Sequence, residues 1–128
     1  IGRRKNIEIM NKELNQKLFP ELISSSRVNL NILTKENRDV TNLKIFEITA
    51  SYGLMLTEYS PTINNIIKDN CFYFDIDKMD KLNNSLNFLF DSKNNEILKK
   101  MTLNSYDNIK SNFHSINDRV DEVLKILI

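Results

Sequence analysis

Residues 38–62 read RDVTNLKIFEITASYGLMLTEYSPT, which predicts a polar loop, a short helix, a buried strand and a second loop. The helix is predicted over residues 43–52, with Thr41 or Asn42 as its N-cap and with Gly53 where a left-handed C-cap is wanted. This order of elements is typical of α/β folds. In those folds a helix N-terminus lies beside the carboxyl ends of strands, and the two together present polar groups to a ligand.

Three segments of the chain predict strands. Residues 27–33 alternate between polar and apolar side chains, so that Val28, Leu30 and Ile32 share one face. Residues 54–57 are a short apolar run, and residues 71–74 are apolar throughout, as expected of a strand covered on both faces. Because helices separate the strands, we expect parallel pairing with right-handed crossovers. Three strands make a narrow sheet with a bare edge, and the sequence starts with Ile rather than Met, so we expect an upstream portion to supply further strands.

Apolar residues at helical spacing predict the remaining elements. An N-terminal helix ends at Pro20, which also suits the first turn of a second, short helix over residues 20–25. The Ser60-Pro61 pair opens a helix after the second strand. Three amphipathic helices follow the last strand, the third after Ser115 and Asp118 in capping-box spacing, and we expect their apolar stripes to face the core. The stripes of the first helix and of the last three are Ile7, Met10, Leu14 and Leu18; Met79, Leu82, Leu86, Leu89 and Phe90; Ile97, Leu98, Met101, Ile109 and Phe113; and Ile116, Val120, Val123, Leu124 and Leu127.

The composition narrows the classes of function. With 41% apolar and 27% charged residues the chain is globular, and its 128 residues predict one domain. A net charge of +1 gives no argument for nucleic acid, and two glycines are too few for a Gly-rich phosphate loop. A single cysteine, Cys71, favours a reducing compartment and a place in the core. One cysteine and one histidine give no support for a metal site, and no apolar run approaches the roughly 18 residues needed to span a bilayer.

From Ser24 onwards the chain resembles the C-terminal half of group 1 glycosyltransferases, in particular the subset related to spore-maturation proteins. The resemblance covers roughly four-fifths of the chain in register, and its most specific part is a Lys-x-Phe-Glu helix followed by a Glu-Tyr-Ser-Pro turn. The matching residues are 27–32, 44–47, 50–61, the CFYFD run at 71–75, Asn112, Phe113, His114 and Arg119.

The resemblance implies a fold and a reaction. That family has two Rossmann-like domains facing each other across a cleft, with the nucleotide-sugar donor on the C-terminal domain and the acceptor on the N-terminal one. The chain is then one N-terminally truncated donor-binding domain, residues 1–128, with a parallel sheet, flanking helices and a terminal helix pair. It would transfer a sugar from a nucleotide-diphosphate sugar to an unknown acceptor, such as a cell-surface polysaccharide.

Further properties follow from the same resemblance. The reaction would retain anomeric configuration and need neither metal nor cofactor. The acceptor-binding domain is missing, so the isolated chain is expected to be inactive, since catalysis needs both faces of the cleft. We expect a cytoplasmic protein, with a peripheral place at the inner face of the membrane as an alternative, and no nucleic-acid partner.

The predicted helix carries the candidates for nucleotide binding. The resemblance places Glu47 where the family carboxylate binds both ribose hydroxyls, and one carboxylate can accept two hydrogen bonds from a diol. Sugar transfer leaves negative charge on a diphosphate oxygen, which the N–H groups after Thr41 and Asn42 and the ammonium of Lys44 are suited to meet. The family more often has arginine at this position, and lysine would hold phosphate as a point charge. Alternatively, Lys44 and Glu47 are ordinary solvent-facing residues.

The loops on either side supply the other candidates. Asp39, eight residues before Glu47, matches the first member of an acidic pair that contacts the donor sugar near its reacting carbon in many group 1 members. Glu36 competes for that role, and loop acids are often only solvated. Tyr59 and Ser60 follow the second strand, at the end where donor ligands lie. Tyr59 would pack on a base or ribose, or is an exposed turn residue.

A non-catalytic α/β nucleotide-binding or regulatory module is the competing interpretation. A receiver-like domain needs an acidic cluster after its first strand and a lysine after a late one, and neither is visible. A helical interaction protein would account for the C-terminal helices but not for the strands at 27–33 and 71–74. His114, at a helix–helix junction, is predicted to be structural rather than catalytic.

Overall fold

The computed structural model describes residues 15, 17–78, 80–112 and 114–127. Five of the stripe positions predicted above lie outside the described residues, namely Ile7, Met10, Leu14, Met79 and Phe113. Leu18 is not the end of a helix but starts one that runs through Pro20 to Ser25, because proline is tolerated in the first turn. The elements, in chain order, are α1 Leu18–Ser25, β1 Asn29–Asn31, α2 Leu43–Ala50, β2 Met55–Glu58, α3 Pro61–Ile67, β3 Phe72–Phe74, α4 Asp80–Phe90, α5 Asn95–Ser111 and α6 Ile116–Leu127.

The three strands form one parallel sheet in the order β1-β2-β3. Leu30 of β1 lies opposite Leu56 of β2, which lies opposite Phe72 of β3. The carboxyl ends of all three strands therefore meet at one edge of the sheet. This confirms the predicted α/β class and the parallel pairing. β1 and β3 are shorter than predicted, and β2 begins and ends one residue later than predicted.

Apolar residues cover both faces of the central strand, because consecutive strand residues point to opposite sides. Met55 belongs to a cluster with residues of α2 and α3, including Ile45 and Ile63, and Cys71 lies in the same cluster. Leu56 belongs to a second cluster, with Leu89 and others from α4 and α5. Burial raises the pKa of the Cys71 thiol to about 12, which agrees with its predicted place in the core.

The strand that the alternating pattern predicts is confirmed as β1, but its polar face is the buried one. Asn29 and Asn31 are only 8% and 3% exposed, whereas Leu30 and Ile32 are 59% and 57% exposed. The Nδ2 of Asn29 donates to the carbonyls of Ile23 and Leu54, at 3.1 and 3.2 Å. The face of β1 towards α1 and α2 therefore buries amide side chains. The apolar face stays exposed, because α4 packs against β3 rather than over Leu30.

The predicted role of Gly53 as a left-handed C-cap is wrong. Tyr52 has the positive φ, 56°, and Gly53 does not. Gly53 is required for space instead, because a Cβ atom there would lie 2.5 Å from the Cγ2 of Ile23 and 2.8 Å from the Nδ2 of Asn29. The helix end thus depends on contacts with α1 and β1 rather than on backbone freedom.

The sequence signals that predict the starts of α3 and α6 are confirmed. Ser60 is the N-cap of α3, Pro61 is its first residue, and the Oγ of Ser60 accepts from the N–H of Ile63 at 3.5 Å. In the capping box before α6, the N–H of Ser115 donates to the Oδ2 of Asp118 at 2.9 Å, and the N–H of Asp118 donates to the Oγ of Ser115 at 3.2 Å.

The expectation that the last three helices bury their stripes holds only in part. Leu89 of α4 and Leu98 of α5 are buried. In α6 no residue is buried, and the stripe from Ile116 to Leu127 faces solvent, because this helix packs against little of the described chain. Among the described residues, none of the helices is both long enough and apolar enough to cross a bilayer.

Candidate functional site

The N-terminus of α2 lies beside the carboxyl end of β1. Asn42 is its N-cap, and the Nδ2 of Asn42 donates to the Oδ1 of Asn31 at 2.9 Å. Because the Asn42 side chain turns to β1, it makes no cap hydrogen bond to the first turn of α2. The hydroxyl of Thr41 donates to the carbonyl of Asn42 at 3.3 Å, and the buried Oδ1 of Asn42 has no partner among the described residues. The first-turn N–H groups, which carry the positive end of the helix dipole, are thus not used by the side chain of the N-cap residue.

Lys44 and Glu47 lie together on the exposed face of α2. The Nζ of Lys44 is 3.4 Å from the Oε2 of Glu47, and their side chains are 58% and 47% exposed. The ammonium also lies 5.2 Å from the ring centre of Phe19. An ion pair this exposed contributes roughly 0–1 kcal/mol, so a ligand can displace it at small cost.

A cleft of about 560 Å³ opens at the carboxyl ends of β2 and β3. Asp39 and Tyr59 line it, and the Tyr59 ring meets the ring of Tyr73 edge-on, with 5.5 Å between the ring centres. Its other polar walls are Arg38, Glu58, Asp75, Asp77 and Lys81. Carboxylate acceptors, cationic donors and an aromatic ring in one hollow suit a ligand rich in hydroxyl groups.

The structure divides the predicted site residues between two places. Asp39 and Tyr59 line the cleft, whereas Lys44 and Glu47 do not. Glu36 lies in a 3₁₀ turn, Lys35–Asn37, outside the cleft. Hydrogen bonds from its own backbone N–H and from the Thr34 side chain hold the pKa of Glu36 below its usual value. The ligand roles of these residues stay predictions.

Ser60 is fully buried and makes protein contacts through its hydroxyl. Besides capping α3, the hydroxyl donates to the carbonyl of Val40 at 2.5 Å. Both contacts hold protein segments together. Its role as a donor-binding residue stays a prediction.

Sequence reasoning missed two features of this edge. Glu58 ends β2 and is only 5% exposed, although it stands in a stretch that was interpreted as a turn. Asp75 and Asp77 have an Asp-x-Asp spacing, and the Oδ1 of Asp75 accepts from the N–H of Asp77 at 3.0 Å. No group of three or more potential metal ligands occurs within the described part of the chain.

His114 is held at the junction of α5 and α6. Its ring centre is 5.6 Å from that of Phe46, and its Nδ1 is 3.0 Å from a guanidinium nitrogen of Arg119. Partial burial and the Arg119 charge lower the pKa of His114, against a smaller opposite effect of Asp118. The position agrees with the structural role predicted for this residue.

This lowered pKa predicts a pH dependence of stability. The unfolded chain takes up the proton first as the pH falls, so the contribution of neutral His114 is complete above its ordinary pKa of 6.5 and is lost as the pH falls through the folded-state pKa. Urea unfolding at about pH 7.5 and about pH 5.5 should show a loss of stability that a His114→Gln variant reduces. An equal loss in both proteins would contradict this role.

Comparison with known families shows the family to which the chain belongs. A family model described as glycosyl transferase-like matches residues 4–125. No curated protein and no solved structure matches the chain. The chain belongs to the glycosyl transferase-like family, and a glycosyltransferase-type function follows from that membership.

Proposed function

We propose that the chain is the donor-binding half of a glycosyltransferase and that it holds a nucleotide-diphosphate sugar at the carboxyl edge of its sheet. The observation that carries the proposal is the placement of Lys44 and Glu47, 3.4 Å apart, on the exposed face of a helix whose uncapped N-terminus adjoins β1. A nucleoside diphosphate offers a diol and an anionic group close together, and this face offers a carboxylate and a cation close together.

Each of these groups has a chemical task in the proposed site. The Glu47 carboxylate accepts hydrogen bonds from the two ribose hydroxyls. Lys44 and the first-turn N–H groups of α2, which follow Thr41 and Asn42, meet the diphosphate. As the bond to the sugar breaks, negative charge grows on the leaving oxygen, and these fixed positive groups lower the energy of that state.

The cleft beside Asp39 and Tyr59 is the proposed place of the sugar. Its volume of about 560 Å³ exceeds what one hexose needs, and its walls offer acceptors and donors for hydroxyl groups. Asp39 contacts the sugar near the carbon that reacts, and the Tyr59 ring packs on the ligand from the end of β2.

Turnover in this proposal requires an acceptor-binding domain opposite the donor edge, because positioning both substrates supplies much of the rate. We further propose that the sugar keeps its anomeric configuration and that no metal takes part. The membership in the spore-maturation subset, the cell-surface acceptor and the cytoplasmic location stay predictions.

Calorimetric titration with uridine and adenosine diphosphates tests the donor site. The wild-type chain should bind at least one of them, and Glu47→Ala should weaken binding by roughly tenfold or more, because it removes charge-assisted hydrogen bonds to the diol. Glu96→Ala is the matched control, since Glu96 is also an exposed glutamate paired with a lysine three residues away, Lys99, at 3.6 Å.

The two variants separate a local effect from a general one. The control should bind like the wild type. Equal affinities for wild type and Glu47→Ala would remove the ribose role of Glu47. Failure of the wild type to bind either nucleotide would remove the donor-binding function itself.

A further inference from the structure

Within the described part of the chain, a short segment that starts at the last residue of β2 holds the loop between β1 and α2. This 58–62 segment makes four contacts with residues 33–40. The Oε2 of Glu58 accepts from the N–H of Leu33 at 3.2 Å, and its Oε1 lies 3.2 Å from the Nε of Arg38. The Ser60 hydroxyl donates to the carbonyl of Val40 at 2.5 Å, and the Thr62 hydroxyl donates to the carbonyl of Asp39 at 3.2 Å.

The loop has few other means of holding its shape. No side chain from residue 34 to residue 40 is buried. Its own backbone bonds are two local ones, from Asn37 to Thr34 and from Val40 to Asn37. Segments without buried apolar contacts open at low cost, so the conformation of the 34–40 loop depends on the 58–62 segment.

Glu58 is the strongest of the three anchoring residues, because it makes two of the four contacts. Its side chain is 7% exposed, and a glutamate is rarely this buried unless it is paired. Each carboxylate oxygen has its own partner, one main-chain N–H and one guanidinium, so the charge is satisfied on both sides. Loss of the negative charge would release Arg38, whose side chain is 43% exposed and lines the cleft.

The loop leads directly into the proposed donor site. Asp39 lies in it, and Thr41 and the N-cap Asn42 follow within two residues of its end. Movement of the loop therefore shifts both the acid proposed to face the sugar and the first turn of α2, which is proposed to face the diphosphate.

We infer that Glu58 is a positioning residue for the donor site: it lines the cleft, but both of its carboxylate oxygens are paired with Leu33 and Arg38, and it orders the site through those two residues. Thr62 supports the same loop through the carbonyl of Asp39. This inference rests on the proposed donor-binding function. We expect Glu58 to affect the binding of the diphosphate and the sugar, which lie next to the loop, and not the binding of the ribose.

The ratio of the affinity for uridine diphosphate to the affinity for uridine measures how well the loop positions the first turn of α2. Uridine binds through the ribose contact of Glu47, and the phosphates add the interaction with the first turn of α2. Glu58→Gln and Thr62→Val should each reduce the ratio of the two affinities, Glu58→Gln by about fivefold and Thr62→Val by less, while uridine binding stays near the wild-type value.

A matched control and a second measurement separate positioning from general loss of structure. The hydroxyl of Thr102 on α5 donates to the carbonyl of Leu98 at 3.0 Å, so Thr102→Val removes a similar bond far along the chain. It should leave the affinity ratio unchanged. In the ligand-free protein, hydrogen exchange of residues 34–42 should quicken in Glu58→Gln and Thr62→Val but not in the control.

The outcomes are distinct from those that test the proposed function. If Glu47→Ala weakens uridine binding but Glu58→Gln and Thr62→Val keep the wild-type ratio, the inference is wrong and the donor site stands. If the wild type binds neither ligand, the donor site and this role both fail. Should Glu58→Gln not fold, Thr62→Val decides, because it is isosteric and removes one bond.

Discussion

A Gly53→Ala variant should be less stable than the wild type by roughly 2–4 kcal/mol, because one methyl group would enter a space that is already filled. The added Cβ would lie 2.5, 2.8 and 2.9 Å from side-chain atoms of Ile23, Asn29 and Ile48. All three residues are buried, so none can turn towards solvent. Displacing Asn29 would also weaken its two hydrogen bonds to main-chain carbonyls.

Urea unfolding checks this result, with Tyr52→Asn as the neighbouring control. Tyr52 is the residue in the left-handed conformation, with φ 56°. Asparagine there relieves backbone strain but loses the stacking of Tyr52 on Tyr106, whose ring centres are 4.2 Å apart. These effects are opposite and each about 1 kcal/mol, so stability should change little. A Gly53→Ala variant as stable as the wild type would show that the space around Gly53 is not filled.

An Asn31→Leu variant should lose roughly 2–3 kcal/mol of unfolding free energy, although leucine has a similar size and suits a strand better. Asn31 is 3% exposed and joins two elements. Its Nδ2 donates to the Oγ1 of Thr57 at 3.0 Å, and its Oδ1 accepts from the Nδ2 of Asn42 at 2.9 Å. Leucine would leave both partners without these bonds, next to an Asn42 Oδ1 that already has none among the described residues.

Leu30→Thr is the control in the same strand. Leu30 is 59% exposed, so threonine there should change stability by no more than about 0.5 kcal/mol. The two variants together test which face of β1 is buried. If Leu30→Thr were the damaging change and Asn31→Leu were tolerated, the orientation of β1 described here would be wrong.

The elements that depend on nearby residues were predictable from the sequence. The Ser60-Pro61 start of α3 and the Ser115–Asp118 capping box involve partners at most three residues apart, and both are present. The apolar run at residues 54–57 likewise predicts a short buried strand, and all four residues of β2, Met55–Glu58, are buried. Parallel pairing followed from the alternation of strands and helices.

The features that depend on distant residues were not predictable in the same way. The buried face of β1 is set by Ile23 and Leu54, whose carbonyls bind Asn29, and by α4 lying on β3. The need for glycine at position 53 comes from Ile23 and Asn29, far earlier in the chain. The apolar stripe of α6 has regular spacing, but the spacing does not show whether another helix or strand packs on it.

In the candidate site, too, the features set by nearby residues were predictable and those set by distant residues were not. The resemblance in the sequence led to the Lys44 and Glu47 pair, which the structure holds 3.4 Å apart on α2. It includes Glu58 in the Glu-Tyr-Ser-Pro turn but gives it no role, because the partners of that carboxylate, Leu33 and Arg38, lie at least 20 residues earlier. A glutamate directly after an apolar strand was the one available signal, since a buried acid requires a partner.

The central claim is that a nucleoside diphosphate binds at the N-terminal half of α2. Amide NMR spectra of the isotope-labelled chain, recorded during titration with uridine diphosphate or adenosine diphosphate, test it most directly. We expect the largest shifts to fall within residues 38–47 and to be much smaller in Glu47→Ala at the same nucleotide concentration, because that variant binds roughly tenfold more weakly. Shifts confined to α4, α5 or α6, or shifts of equal size in the variant, would contradict it.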